Sequence, residues 1–228
     1  MKKISIVIPA YNEEKRIPKS LEEIKRYMDA HLDFEFEVIV VDDGSKDNTI
    51  DVVKKYDWIR LLTHTPNKGK GYSLREGVGC ANGDYIYLCD ADLSTPILEL
   101  DKLIMKISDC NCVIGSRALA QSKIKDIKWY RKALGRFGNL LIKVVLHLPF
   151  EDTQCGFKLL DRRSKEVFMK TKNDRWAYDF EFLYLAIKER LKVKEIPVIW
   201  NATNGSTVES IDYIRTFFEL FGIWWRYR

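Results

Sequence analysis

The 228-residue chain has no uninterrupted apolar run of the roughly 20 residues that a helix needs to cross a bilayer. Its start, MKKISIVIPA, reaches Pro9 after a handful of apolar residues, too few for a secretory signal, and reads as the first strand of a cytosolic fold. Cysteine is scarce and odd in number: Cys80, Cys89, Cys110, Cys112 and Cys155 form no paired C-x-x-C motifs and have no histidines at zinc spacing. This argues against a disulfide framework and a structural zinc site, and predicts reduced, mostly buried thiols, with Cys110 and Cys112 on one face of a strand. The three histidines, His31, His64 and His147, fall at a helix end, at a strand end and in an apolar run, outside any motif that suggests acid–base work. Charge of one sign is also in short supply. With 38 Lys and Arg against 33 Asp and Glu, the net +5 is too mild for a dedicated nucleic-acid binder, and no nucleic-acid partner is expected. Neither the phosphate cradle G-x-x-x-x-G-K-[ST] nor the dinucleotide fingerprint G-x-G-x-x-G is present.

What the chain does have is an alternation. KISIVIP, FEVIVVDDGS, WIRLLTH and DYIYLCDAD are short apolar runs that read as strands. Between them lie IPKSLEEIKRYMDAH, with Ile17, Leu21, Ile24 and Met28 at helical spacing, then KDNTIDVVKKY, then the glycine-marked NKGKGYSLREGVGCANG. This order predicts an α/β fold with a mostly parallel sheet flanked by helices, and 46% hydrophobic residues suffice for a substantial core. Ligands of such sheets bind beyond the carboxyl ends of the strands. IPAYNEE, VVDDGSKDNT and LCDADLST each follow a strand, which gathers Tyr11, Glu13, Asp42, Asp43, Asp90 and Asp92 along one rim. Asp43 also has a turn reading with Gly44, because D-G-S is ordinary turn chemistry. Asp90 and Asp92 differ: residues i and i+2 of an extended segment point to the same side, so two carboxylates converge and call for a cation between them.

In order and spacing, VIPAYNEE, VVDDGSKDNT, NKGKGYSLREG, GDYIYLCDADLST and IGSR resemble the nucleotide-sugar half of the family 2 glycosyltransferases, which have the GT-A fold. The resemblance implies that Asp90-Ala91-Asp92 holds a divalent metal, Mg2+ or Mn2+, against the donor diphosphate; both ions suit a site of carboxylate, water and phosphate oxygens. It further implies a nucleotide-sugar site of Pro9, Ala10, Tyr11, Glu13, Val40, Asp42, Asp43 and Lys70, in which Gly69 and Gly71 let backbone approach a ligand. Ser94 departs from the mannosyl-type pattern, where Gln commonly stands at this position and joins the metal shell. The later segments DTQCGFKLLDRRS, DRWAYDFEFLYLA and EIPVIWNATNGSTVESIDYIRTFFEL resemble the branch that glycosylates dolichyl or polyprenyl phosphate, especially its glucosyltransferase-like members. The implied organisation is a single GT-A domain over 1–228, with a nucleotide-sugar half at 1–120 and an acceptor half at 121–228. The implied reaction is inverting transfer of a hexose, glucose from UDP-glucose before any GDP-sugar, to a polyprenyl or dolichyl phosphate.

A phosphate monoester with a second pKa of about 6 arrives largely ionised, so its attack calls for cationic positioning more than for a general base. Arg117 and Arg131 are the candidates for that role, because guanidinium forks suit phosphate oxygens; each also has a plain surface reading. By resemblance, Asp152 and Gln154 belong to the acceptor side, and Asp152 would serve as base if the acceptor were an alcohol. On a helix Asp179 and Glu181 diverge, and Asp179 is the one expected to face the site. Trp176 has two readings, a sugar-stacking ring and a core aromatic. Lys123, Lys125, Lys128, Arg131, Lys132 and Arg136 precede an apolar stretch at 140–148, and YIRTFFELFGIWWRYR mixes aromatics with arginines. A core helix with a charged flank is the plain reading; beside the resemblance, these segments predict peripheral contact with the cytoplasmic side of a membrane, and a homo-oligomer is compatible with them. Two other functions stay open: a family 2 transferase acting on a saccharide hydroxyl, which would need a base, and a nucleotide-sugar-binding scaffold without turnover.

Overall fold

The computed structural model describes residues 1–125, 129–202 and 210–228, the side chains at 130–132 and 210–214 excepted. The elements follow as β1 (Lys2–Ala10), α1 (Ile17–Ala30), β2 (Phe34–Asp42), α2 (Thr49–Val53), β3 (Ile59–Thr63), α3 (Lys70–Cys80), β4 (Tyr85–Leu88), α4 (Leu100–Ile107), β5 (Cys112–Ser116), β6 (Lys123–Lys125), α5 (Trp129–Leu146), β7 (Lys158–Leu160), α6 (Arg162–Phe168), α7 (Tyr178–Lys188), β8 (Val193–Pro197), β9 (Ile199–Asn201) and α8 (Ser210–Tyr227). Seven strands form one sheet in the order β3-β2-β1-β4-β7-β5-β8, and β6 and β9 pair separately. Every pairing in the large sheet is parallel except those of β7, which runs against both β4 and β5.

The two-residue period of the strands sorts their side chains into two cores. Ile4, Ile6 and Ile8 of β1 and Val38 and Val40 of β2 face one layer with Ile17, Leu21 and Ile24 of α1 and Leu100 and Leu103 of α4. Val7, Ile39 and Val41 face the other, where α3, α5, α6, α7 and α8 contribute Leu74, Ile142, Phe168, Phe182 and Ile223 among others. Burial on both faces is why the strands read as continuous apolar runs.

Register decides what reaches the rim. Ala10 lies opposite Asp42, so the loops after β1 and β2 leave at one level, while Leu88 lies opposite Val7, so the loop after β4 leaves the same edge from deeper in the sheet. Because β7 is antiparallel, its first residue, Lys158, stands at this same edge, opposite Leu88 and Ile114.

Several expectations change. α2 is one short helix of five residues where a longer one was expected. In α1 it is Tyr27, not Met28, that is buried, its hydroxyl donating to Asp101 at 2.6 Å. Cys110 precedes β5, so the two neighbouring thiols do not share a strand; all five cysteines are free, with Cys89, Cys112 and Cys155 buried. Among the described residues, no helix is long and apolar enough to cross a membrane.

Candidate active site

The first wall is built by the loops after β1 and β2. Pro9, Tyr11 and Glu13 are half-buried at the rim, whereas Ala10 and Val40 are buried with their side chains in the sheet core, so any contribution of those two is through backbone. Arg16 grips Glu13 with Nε at 2.7 Å and Nη2 at 2.6 Å. Burial still raises the Glu13 carboxyl above its usual range, with Arg16 opposing. Asp42 Oδ1 accepts from the backbone of Gly44 and Ser45 at 3.1 and 2.9 Å, while its Oδ2 is buried without a hydrogen bond.

Asp43 has the turn role and more. Its carboxylate accepts from His64 Nε2, the Lys68 and Gly69 backbone and Asn67 Nδ2, at 2.6 to 2.9 Å. These bonds tie Asp43 to His64 and to the NKGKG loop, which supports the turn role. The reading of Gly69 and Gly71 changes. A Cβ on Gly69 would come within 2.5 Å of the Asp174 carbonyl, and one on Gly71 within 2.5 Å of the Asn173 carbonyl. The backbone approaches the chain's own 173–175 segment, and Gly69, at φ 108, also needs a conformation other residues avoid.

At the centre, β4 ends at Leu88, and Asp90 to Leu93 form a turn closed by Leu93 N–H donating to Asp90 O at 3.1 Å. The two carboxylates therefore project from a turn, not from the expected extended strand. Each has cationic company. Lys70 Nζ donates to Asp90 Oδ1 at 2.5 Å, and Arg16 Nη1 stands 4.0 Å from Asp92 Oδ2. Burial disfavours the Asp90 charge, yet Lys70, with Arg117 and Lys158 further off, holds its carboxyl below the usual range. Ser94 donates to Asp92 Oδ1 through backbone at 3.0 Å and hydroxyl at 2.9 Å, which orients that carboxylate. Trp176 is half-buried, its ring 5.5 Å from Lys70 Nζ.

Among the described residues, no group of three or more His, Cys, Asp or Glu side chains is arranged to hold a metal. The chain brings two carboxylates, with Asp90 still 35% exposed. A Cβ at Gly156 would sit 3.2 Å from Asp90 Oδ1, so the missing side chain keeps room beside it. This donor set fits a hard divalent ion whose remaining ligands are phosphate and water oxygens.

On the acceptor side the structure pairs the residues with one another. Arg117 donates to Asp152 through Nε at 2.7 Å, Nη2 at 3.0 Å and backbone N–H at 2.9 Å, and Gln154 N–H adds a fourth bond at 3.1 Å. Burial opposes the Asp152 charge, but Arg117 prevails and its carboxyl sits below the usual range. A carboxylate so held is a poor proton acceptor, which weighs against its use as a reserve base. Asp179 is buried against Lys158, and its charge also acts on Lys70 and Arg117. Glu181 diverges as expected, accepting from Arg226 and Tyr227 of α8 at 3.0 and 2.9 Å. Arg131 belongs to α5, but its side chain lies outside the described residues.

The residue that sequence reasoning missed is Lys158. It is 1% exposed, and its ammonium bonds both Asp179 and the Cys155 carbonyl. The signal was there: a lysine inside the apolar run CGFKLL is buried only when paired.

Comparison with known proteins agrees with this geometry. A dolichyl-phosphate beta-glucosyltransferase of Trichomonas vaginalis is 38% identical over 236 residues, spanning 96% of this chain and 72% of the relative. The mouse protein of the same name is 36% identical over 224 residues, 90% and 69% of the two chains. In structure, mannosyl-3-phosphoglycerate synthase from Rubrobacter xylanophilus superposes with a TM-score of 0.74 at 15% identity, over 99% of this chain and 73% of that one. Glucosyl-3-phosphoglycerate synthase from Mycobacterium tuberculosis, in complex with Mn2+ and UDP-glucose, gives 0.72 at 18% identity, over 97% and 79%. These two likenesses establish the GT-A fold. The model of glycosyl transferase family 2 matches residues 5–168, and with relatives this similar along most of its length, the chain belongs to that family of glycosyltransferases.

Proposed function

We propose that this glycosyltransferase moves glucose from UDP-glucose to dolichyl or a related polyprenyl phosphate, with inversion, at a membrane surface. The observation that carries the reading is the state of the acceptor-side carboxylates. Asp152 takes four hydrogen bonds from Arg117 and backbone, and Asp179 is buried with one oxygen paired to Lys158. A hydroxyl acceptor would need one of them as base, whereas an ionised phosphate needs neither. One phosphate oxygen forms a bond to the anomeric carbon as the bond to the donor diphosphate breaks, so an α-linked donor yields a β-linked product, in keeping with the relatives' names.

The roles of the residues follow. Asp42, with an unmatched buried oxygen, is assigned to the nucleoside together with Tyr11 and Glu13. Arg117, a third exposed, is aimed by Asp152 through Nε and Nη2, which leaves Nη1 outside the fork for an acceptor or donor phosphate. Trp200 flanks that guanidinium at 5.7 Å. Asp90 and Asp92 would hold Mg2+ or Mn2+, and the bound ion would neutralise the leaving diphosphate. We assign the donor to 1–120 and the acceptor to 121–228, with Lys158 opposite Leu88 beneath the donor side.

Membrane contact is supported by α5 and α8. Their inward residues Ile142, Leu146, Leu220 and Ile223 join one core, while Trp129, Phe137, Leu140 and Val144, and Phe218, Phe221 and Trp225, are exposed. Exposed Lys123, Lys125 and Arg136 supply positive charge nearby in sequence, which suits an anionic headgroup layer.

The test is nucleoside diphosphate release from a panel of UDP- and GDP-sugars, with Mg2+ or Mn2+, with and without a short polyprenyl phosphate, comparing Asp92→Ala. Release from UDP-glucose that needs the lipid phosphate and falls by about 10²- to 10³-fold in Asp92→Ala is expected. Release with sugar alcohols and never with lipid phosphate would reject the reading.

A further inference from the structure

The ammonium of Lys70 stands where chemistry asks for a metal. It is 2.5 Å from Asp90 Oδ1, and Asp90 is one of the two carboxylates assigned above to a divalent ion. An ammonium and a divalent ion on the same carboxylate repel strongly at such range. One must give way.

Three features make the lysine the exchangeable partner. The pair is open to solvent, with side chains 22% and 35% exposed, so neither charge is stranded when the contact breaks. Lys70 has a second neighbour that tolerates a cation, the Trp176 ring at 5.5 Å. Its backbone is pinned on both sides, by Gly69 N–H on Asp43 at 2.8 Å and Gly71 N–H on the Arg175 carbonyl at 3.2 Å. Only the side chain can swing, and its Nζ remains within reach of whatever is seated on Asp90 and Asp92.

We propose that Lys70 is a resident counter-ion of the metal site, which holds Asp90 in the donor-free enzyme, keeps free divalent ions out, and yields when metal and donor diphosphate arrive together. The incoming phosphate oxygens then give the displaced ammonium new partners. The inference rests on the metal-dependent reading above. Its consequence is linkage: the nucleoside diphosphate tightens metal binding and the metal tightens nucleoside diphosphate binding by the same factor, which Lys70 enlarges by penalising metal alone.

The test is Mn2+ binding to the full chain, read from the paramagnetic resonance of the free ion, with and without UDP. Wild type, Lys70→Met, Lys70→Arg and Asp90→Asn are compared, and thermal melting checks each fold. Wild type is expected to bind Mn2+ weakly alone and about tenfold or more tightly with UDP. Lys70→Met should bind Mn2+ alone about tenfold more tightly than wild type and lose most of the enhancement by UDP. Lys70→Arg should behave as wild type, and Asp90→Asn added to Lys70→Met should abolish the gain. If Lys70→Met does not melt cooperatively, Lys70→Gln carries the same expectation. Mn2+ affinity that is unchanged or weaker in the folded variant overturns the proposal and leaves metal dependence standing. Absence of Mn2+ binding to wild type even with UDP overturns both.

Discussion

Two lysine–aspartate pairs lie at the same edge of the sheet under opposite conditions. Lys70–Asp90 faces an opening, whereas Lys158–Asp179 is sealed, with side chains 1% and 7% exposed. In the sealed pair each charge depends permanently on protein partners, and Lys158 takes a second one in the Cys155 carbonyl. In the open pair, water, metal or phosphate can replace either member. The same chemical contact is thus scaffold in one place and available chemistry in the other, and burial alone makes the difference.

The sharpest way to break this comparison is Lys158→Met. It leaves Asp179 buried without its cation and is expected to cost about 3–5 kcal/mol in denaturant unfolding. The double variant Lys158→Met with Asp179→Leu should recover most of that loss, since an apolar pair of similar volume leaves no stranded charge. An unchanged single variant would erase the distinction between the pairs.

Arg117–Asp152 is intermediate, 33% and 7% exposed. Asp152→Asn is expected to cost about 2 kcal/mol at neutral pH. The sign with pH follows from the depressed carboxyl: its folded value lies below the unfolded 3.8, so its contribution is whole above that pH and is lost as pH falls through the folded value. Urea unfolding from pH 7 to pH 3 should show wild type and Asp152→Asn a constant distance apart at the upper end and converging below about pH 4. A gap that widens towards acid would contradict the assignment.

The smallest effect belongs to Lys70→Met. Loss of a partly exposed pair is expected to change unfolding stability by no more than about 1 kcal/mol. A larger loss would place this contact with the sealed pair and remove its exchangeable character.

Parts of the site were legible before any coordinates. Asp42 ends β2, and Asp90 and Asp92 stand on the loop after β4; these places could be found because apolar runs end where the rim begins. Asp43 was ambiguous, and four donors arriving from 64–69 resolved it as the anchor of a loop. Gly69 and Gly71 were read correctly as sites of close approach but with the wrong neighbour, since the 173–175 segment that touches them is about a hundred positions away. Asp152 was read as acceptor side, a base only for an alcohol acceptor, and the pairing with Arg117 was not visible in the sequence. Asp179 was chosen over Glu181 on helical spacing, which shows that the two diverge but not what each one meets.

Sequence by itself determined the alternation of strands and helices, hence the sheet, its two buried faces and the rim on which the acidic motifs gather. Those signals are local, a period of two or of 3.6 residues that a short window contains. Tertiary structure decided which carboxylates are committed and which stay open. The deciding ion pairs join residues 20, 21 and 35 positions apart, and each depends on how far packing keeps water away. Desolvation and partner distance are properties of the assembled sheet edge. They separate Asp90, whose ion pair with Lys70 is open to solvent, from Asp152 and Asp179, whose carboxylates are buried against their cations.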